Sequence, residues 1–392
     1  MTPSVIIEMF QNVARSAIFA RPETRQLKSF LLLPLALLSF SVANAQNGPL
    51  TGEWHVEMDN AGTADAQTCT LTQTASVLTG TCTSKAGQLP LTGSVQGKTI
   101  TWTVKTPSMV GPVTTVYKGS LDSENRISGV INAIEFKMES DFHATRYKLV
   151  WSDEFNINGR PDPTHWTYET GFIRNNELQW YQPQNAFCKD GLLILEARRE
   201  HKTNPNYQAG SQDWIRSRPQ ADYTSASLTT RGITNWKYGR FEMRGRFDGH
   251  AGLWPEFWMM GDKEWPYNGE IDILESWQGL LNANVIWAGK TPGYSRASSK
   301  RRPIASFGDP EWTSRFHTWR MDWDENHIAI FVDDILLNEV DINKAANGDG
   351  SNGFRDPHYM LLNLAVGGTA GGDPSATQFP ARFEVDWVRV YQ

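Results

Sequence analysis

Cysteine is scarce in this 392-residue chain, with only Cys69, Cys82 and Cys188 present. Neither these three nor the eight histidines fall at zinc-ligand spacing, which speaks against a zinc centre. A surplus of positive charge is lacking too: 37 Lys and Arg stand against 43 Asp and Glu, for a net charge of -6. Without a basic footprint, no nucleic-acid partner is expected. The apolar run 30–42 has 13 residues and includes Pro34, short of the roughly 20 needed to cross a bilayer. Arg21, Arg25 and Lys28 precede it and Ala43-Asn44-Ala45 follows, the order of an export signal cleaved before Gln46. Residues 1–45 therefore read as a signal peptide, with the remaining chain secreted or periplasmic and no membrane anchor retained.

What is abundant is tryptophan, and it is unevenly placed. Of 16 Trp, 14 lie between Trp151 and Trp387 and only Trp54 and Trp102 come earlier. That shift marks a boundary between a small domain, 46–146, and a large one, 147–392. The first consists of short Thr-, Val- and Ile-rich runs separated by Gly, Asn and Asp, which predicts a small antiparallel β domain, sandwich or barrel. It carries no catalytic cluster; Trp54, Trp102 and Tyr117 are its candidate glycan platforms. Cys69 and Cys82 sit in matching Thr-Cys-Thr settings on the two arms of a predicted hairpin, so in an exported chain a disulfide is expected. Cys188 has no mate and reads as a small buried hydrophobe. In the large domain helical periods are short, near 310–315 and 342–346, whereas strand alternation is clear from 317 to 339 and again from 383 to 391. About 245 residues of strands and Gly-rich turns predict one large all-β sandwich or jelly roll.

Within it, residues 269–276 read GEIDILES and set Glu270, Asp272 and Glu275 among Ile271, Ile273 and Leu274. Strand side chains alternate, so Glu270 and Asp272 share a face and the isoleucines take the other. Glu275 breaks the period. An extra residue near Ile273 or Leu274, absorbed in a β-bulge, restores it and places three acids on one face. The same alternation also suits an ordinary strand with one solvated side. Close carboxylates without a cation between them, however, cannot all ionise at ordinary cost, a property useful to acid–base chemistry.

The surrounding pieces carry a resemblance. WSDEFN, NNELQWY, GLLILEARRE, YTSASLTTRG, YGRFEMRGRF, GLWPEFWMMG, GEIDILES, LNLAVGG and the closing VDWVRVYQ resemble, in order, the bacterial family 16 glycoside hydrolases of the laminarinase-like branch. The resemblance implies a concanavalin A-like β-jelly-roll catalytic domain and an endo-1,3(4)-beta-glucanase type of activity without a catalytic cofactor. It makes Glu270 the nucleophile and Glu275 the general acid and base. Asp272 would either hold their protonation states apart or donate a hydrogen bond to the nucleophile. A retaining glycosidase needs two carboxyls about 5–5.5 Å apart, one ionised and one protonated. By the same resemblance Trp254 and Trp258 are candidates to stack on sugars and Asn176 to bond their hydroxyls; Trp277 is added on position alone, and Arg240 reads as structural.

Two positions depart from the family: Glu256 stands where Ala is common, and 284–288, Asn-Val-Ile-Trp-Ala, lacks the usual histidine, with Trp287 near its place. The resemblance further implies a structural Ca²⁺ held by Glu154, the Gly191 carbonyl and Asp386, oxygen donors that suit a hard cation. A polysaccharide partner and a monomer are expected. The alternatives are a hydrolase of algal galactans, for which Arg296, Lys300, Arg301 and Arg302 offer a basic run otherwise read as a solvated loop, and a non-catalytic glycan-binding protein.

Overall fold

A computed structural model describes residues 48–392 apart from 61–62, 85–86, 109–110 and 334; the expected signal segment lies outside the described residues. The Thr-rich part forms a closed eight-stranded antiparallel barrel, from Gly52–Asn60 to Met138–Thr145. Each strand pairs with the next, and the first and last join through His55↔Thr145 to Met58↔Phe142. Closure removes both sheet edges. Inside, Trp102 stacks on Tyr117 at 4.8 Å between ring centroids and Phe142 meets both edge-on. Trp54 is also fully buried. The three aromatic candidates therefore fill the barrel: a barrel of eight strands has an interior just wide enough for side chains. Cys69 and Cys82 are direct cross-strand partners and are joined by a disulfide. Cys188 is free and buried, and burial pushes its thiol up to about 12.

After the barrel, from Leu149–Asp153 onward, the chain forms two packed sheets of seven and ten strands, a jelly-roll sandwich as the alternation predicts. The meander expected between 317 and 339 is present as His317–Trp323, His327–Val332 and Ile335–Asp341. The short helical pieces are 3-10 turns at Trp312–Ser314 and Ile342–Lys344. In the seven-stranded sheet the order runs Thr167–Tyr168, Ser227–Thr229, His358–Val366, Leu253–Gly261, Glu270–Trp277, Leu280–Ala288, Ser295–Pro303. Its inner face contributes Phe257, Met259, Ile271, Ile273, Leu274, Val285 and Leu362 to a core shared with Phe241, Met243, Trp319, Met321 and Val385 of the other sheet. The opposite face carries Trp254, Glu256, Trp258, Glu270, Asp272 and Glu275 beside a few apolar side chains such as Leu361 and Ile286.

Barrel and sandwich meet through buried ion pairs. Arg320 forks onto both oxygens of Glu57 at 2.7 Å each, while Arg240 grips Asp322 at 2.7 and 3.0 Å and reaches the Thr145 hydroxyl at 3.0 Å. Arg240 is structural, as its place in the sequence suggested. Burial works against the Glu57 charge, yet Arg320, His55 and Arg240 together hold its carboxyl well below the usual range. Removing one partner of such a pair strands the other charge, so Glu57→Ala is expected to destabilise the protein by about 3–5 kcal/mol in urea unfolding at pH 7. Because the folded value is depressed, Glu57 stabilises above its ordinary value of 4.5 and progressively less as pH falls from there through the folded value. The gap between wild type and variant must shrink on acidification; a constant gap would rule out an electrostatic origin.

Candidate active site

Gly269 opens the acidic strand with φ +76°, and a Cβ there would lie 2.8 Å from the Phe354 ring. Only glycine makes this turn at so close an approach. Along Glu270–Trp277, Asp272 pairs with Asn284 but Glu275 pairs with Asn282, so Ile273 and Leu274 together face the single Ala283. On the other side Trp258 meets Asp272 and Phe257 meets Leu274, with Ile273 unmatched. This is the expected bulge. Its two successive aliphatic residues both enter the core, and Glu275 returns to the face of Glu270 and Asp272.

Neighbouring strands then wire the acids together. The Asn284 amide donates to Asp272 Oδ2 at 2.9 Å and to Glu275 Oε2 at 2.6 Å. Glu275 Oε1 accepts the indole N–H of Trp254 and of Trp277, each at 3.0 Å. Glu270 Oε2 accepts that of Trp265 at 2.6 Å, and Asp272 also hydrogen-bonds to Glu270. Burial, reinforced by Glu270, pushes Glu275 up to about 7 against the pull of Trp277, Trp254 and Asn284. Asp272 is raised well above the carboxylate range by burial and by the charges of Glu270 and Glu275. Burial and these neighbouring charges thus disfavour the ionised form of Asp272 beside Glu270. Burial also raises Glu270, but the Trp265 N–H, Arg174 and Asp272 all favour its ionised form.

The family 16 glycosyl hydrolase model matches residues 174–389, more than half of the chain. The chain belongs to this family. It is 37% identical over 268 residues to a beta-glucanase of Rhodothermus marinus, a match spanning 64% of this chain and 86% of that protein. Among solved structures, the catalytic domain of an endo-1,3-beta-glucanase (laminarinase) from Thermotoga petrophila matches at 33% identity and a TM-score of 0.54, covering 63% of this chain and 98% of that one. A structure from work on endo-acting O-glycanases with which human gut bacteria initiate mucin breakdown matches at 36% identity and a TM-score of 0.58, covering 63% and 91%.

Other expected family 16 positions fare differently. Trp254 and Trp258 share the cleft face but are only 5% and 4% exposed. Trp254 serves Glu275; Trp258 gives its N–H to Asn363 and lies under the Arg174 guanidinium, 5.0 Å from the ring centroid. Neither offers an open stacking surface. Trp277 is half-buried, with Arg301 5.1 Å over its ring. Asn176 is exposed on the loop that Asn175 ties to Thr369, and its carbonyl accepts from Arg218.

Trp287 does not stand in for the missing histidine: it points into the core beside Phe354, and the cleft positions are Asn284 and Ile286. The basic run is an edge strand rather than a loop. Register puts only Arg301 on the cleft side, opposite Asn282, while Lys300 and Arg302 face the other way. Charged side chains there also blunt an exposed edge.

The expected Ca²⁺ donors do not form a cradle. Glu154 is forked by Arg389 at 2.9 Å twice, Asp386 is bound to Arg244, and Gly191 is a turn residue at φ +79°. Each of the two carboxylates is paired with an arginine. Composition did not reveal Trp265, which is 48% exposed beside Glu270. The signal for it was its place in the turn just before the acidic strand.

Proposed function

We propose that this chain is an endo-acting, retaining β-glucanase that cuts β-1,3- or mixed-linkage β-1,3-1,4-glucan by double displacement, working outside the cytoplasm as a monomer. The observation that carries the chemistry is the bulged strand, with Glu275 protonated near neutral pH and Glu270 served by two donors. In the first step the Glu270 carboxylate attacks the anomeric carbon while Glu275 passes its proton to the departing glycosidic oxygen. In the second, Glu275, now a carboxylate, takes a proton from water. The hydroxide attacks the same carbon, frees Glu270 and leaves the anomer as it began. The β-glucanase and laminarinase relatives support the substrate. The Cys69–Cys82 disulfide supports an oxidising compartment. A pure glycan binder has no use for three coupled acids.

Reducing-end release from laminarin, lichenan, agarose, carrageenan and mucin tests this reading. Laminarin or lichenan should be cut fastest. Release only from mucin or a galactan would move the substrate class, and release from none would remove the enzyme reading. Proton NMR of the first product should show the retained anomer.

A further inference from the structure

Glu256 departs from the family's common alanine, and the structure decides which way it points. On Leu253–Gly261 the side chains of Trp254, Glu256 and Trp258 share one face, while Phe257 and Met259 enter the core. Glu256 is the direct cross-strand partner of Glu275 on one side and of Asn363 on the other. Neighbouring strands lie about 4.7–4.9 Å apart, so this extra acid borders the general acid on the cleft floor. It is 6% exposed.

Its hydrogen bonding is constrained. Asn363 Oδ1 accepts the Trp258 indole N–H at 2.7 Å, which orients the amide so that Nδ2 donates to Glu256 Oε2 at 2.5 Å. That oxygen is thereby an acceptor. The charged groups around Glu256 are Glu275, Glu177 and, more weakly, Arg174; Arg174 is itself taken by Glu169. A buried carboxyl facing two acids with no cation in contact is held neutral. Burial and Glu275 accordingly keep it well above the usual carboxylate range. A neutral carboxyl has one O–H to give, and with Oε2 accepting, that proton sits on Oε1. Among the described residues the Asn363 bond is the one hydrogen bond its carboxyl makes. Oε1 is not among the sealed side-chain atoms that lack a partner, so a donor there is open to a ligand in the cleft.

We propose that Glu256 is a further substrate-contacting residue, donating its Oε1–H to a hydroxyl of the sugar held beside the scissile bond and thereby selecting an uncharged, unsubstituted sugar there. A sulfate or uronate at this point would meet Glu256 and Glu275, and the Arg174 guanidinium over neighbouring Trp258 is already paired with Glu169. The inference rests on the hydrolase reading.

Kinetics on the neutral oligosaccharide that the wild type cleaves best test the proposal. Glu256→Ala should raise KM about 10-fold, the worth of one buried hydrogen bond, with kcat changed by less than about threefold. Glu256→Gln, whose amide still donates, should show the smaller rise. Glu256→Met, of similar volume without a donor, makes the same comparison should the alanine variant not fold. Wild type should prefer laminarin to partially sulfated laminarin by at least about tenfold in kcat/KM, and the preference should narrow without the acid. An unchanged KM in the alanine or methionine variant overturns the proposal. Equal losses in the Gln and Ala variants, paralleled by melting temperature, overturn it in favour of a packing role, and indifference to sulfation removes the selection. A wild type that cleaves no glycan overturns the hydrolase reading itself, a different result from any of these.

Discussion

Glu270→Gln is expected to lower kcat on β-1,3-glucan by on the order of 10⁴-fold or more, with KM little changed, because the covalent step loses its nucleophile while the cleft keeps its shape. The amide is isosteric, and the Trp265 N–H that reaches Glu270 Oε2 at 2.6 Å still finds an acceptor. Loss of activity therefore cannot be assigned to collapse of the site if circular dichroism and melting temperature match wild type. Azide makes the test specific. With Glu270→Ala, azide enters from the vacated side and should give the inverted glycosyl azide, whereas retained activity in either variant would remove Glu270 from its role.

Glu275→Ala should cost about 10²–10⁴-fold, the usual share of a general acid–base, and the cost should depend on the leaving group. An activated aryl glycoside needs little protonation and should lose far less in its first step than a glucan. Here azide takes the place of the activated water and should give the retained glycosyl azide, the opposite outcome to Glu270→Ala. The pH dependence follows from the direction of the shift. Burial and the Glu270 charge raise Glu275 to about 7, and as an acid it must be protonated, so wild-type kcat on glucan falls as pH rises through about 7. In Glu275→Gln this limb should vanish. A limb that persisted there would belong to another group, with Asp272 and Glu256, whose carboxyls burial also raises, the neighbours to examine.

The irregular acidic strand was legible early because the relevant signal is local. A period of two, broken once between Asp272 and Glu275, is restored by a single bulge, and the register shows one there. Trp265 and Asn284 were harder. They act through partners on other strands or turns, and no spacing rule says that an amide opposite Asp272 will also reach Glu275. The barrel aromatics misled for a related reason: an alternating strand shows that Trp102 and Tyr117 face one way, but not whether that way is in or out.

From the sequence alone it follows that this chain is mostly strand, that a Thr-rich stretch precedes a Trp-rich one, and that three acids cluster on one segment in a family 16 pattern. These follow from composition, alternation and motif order, which need no partner. Tertiary structure decided what each face meets. Pairing brings Glu256 between Glu275 and Asn363, a residue 107 positions away, sends Trp287 into the core, commits Glu154 and Asp386 to arginines, and covers Trp258 with Arg174. Burial and charge at each of these places are sums over neighbours distant in sequence, so they exist only once the sheets are assembled.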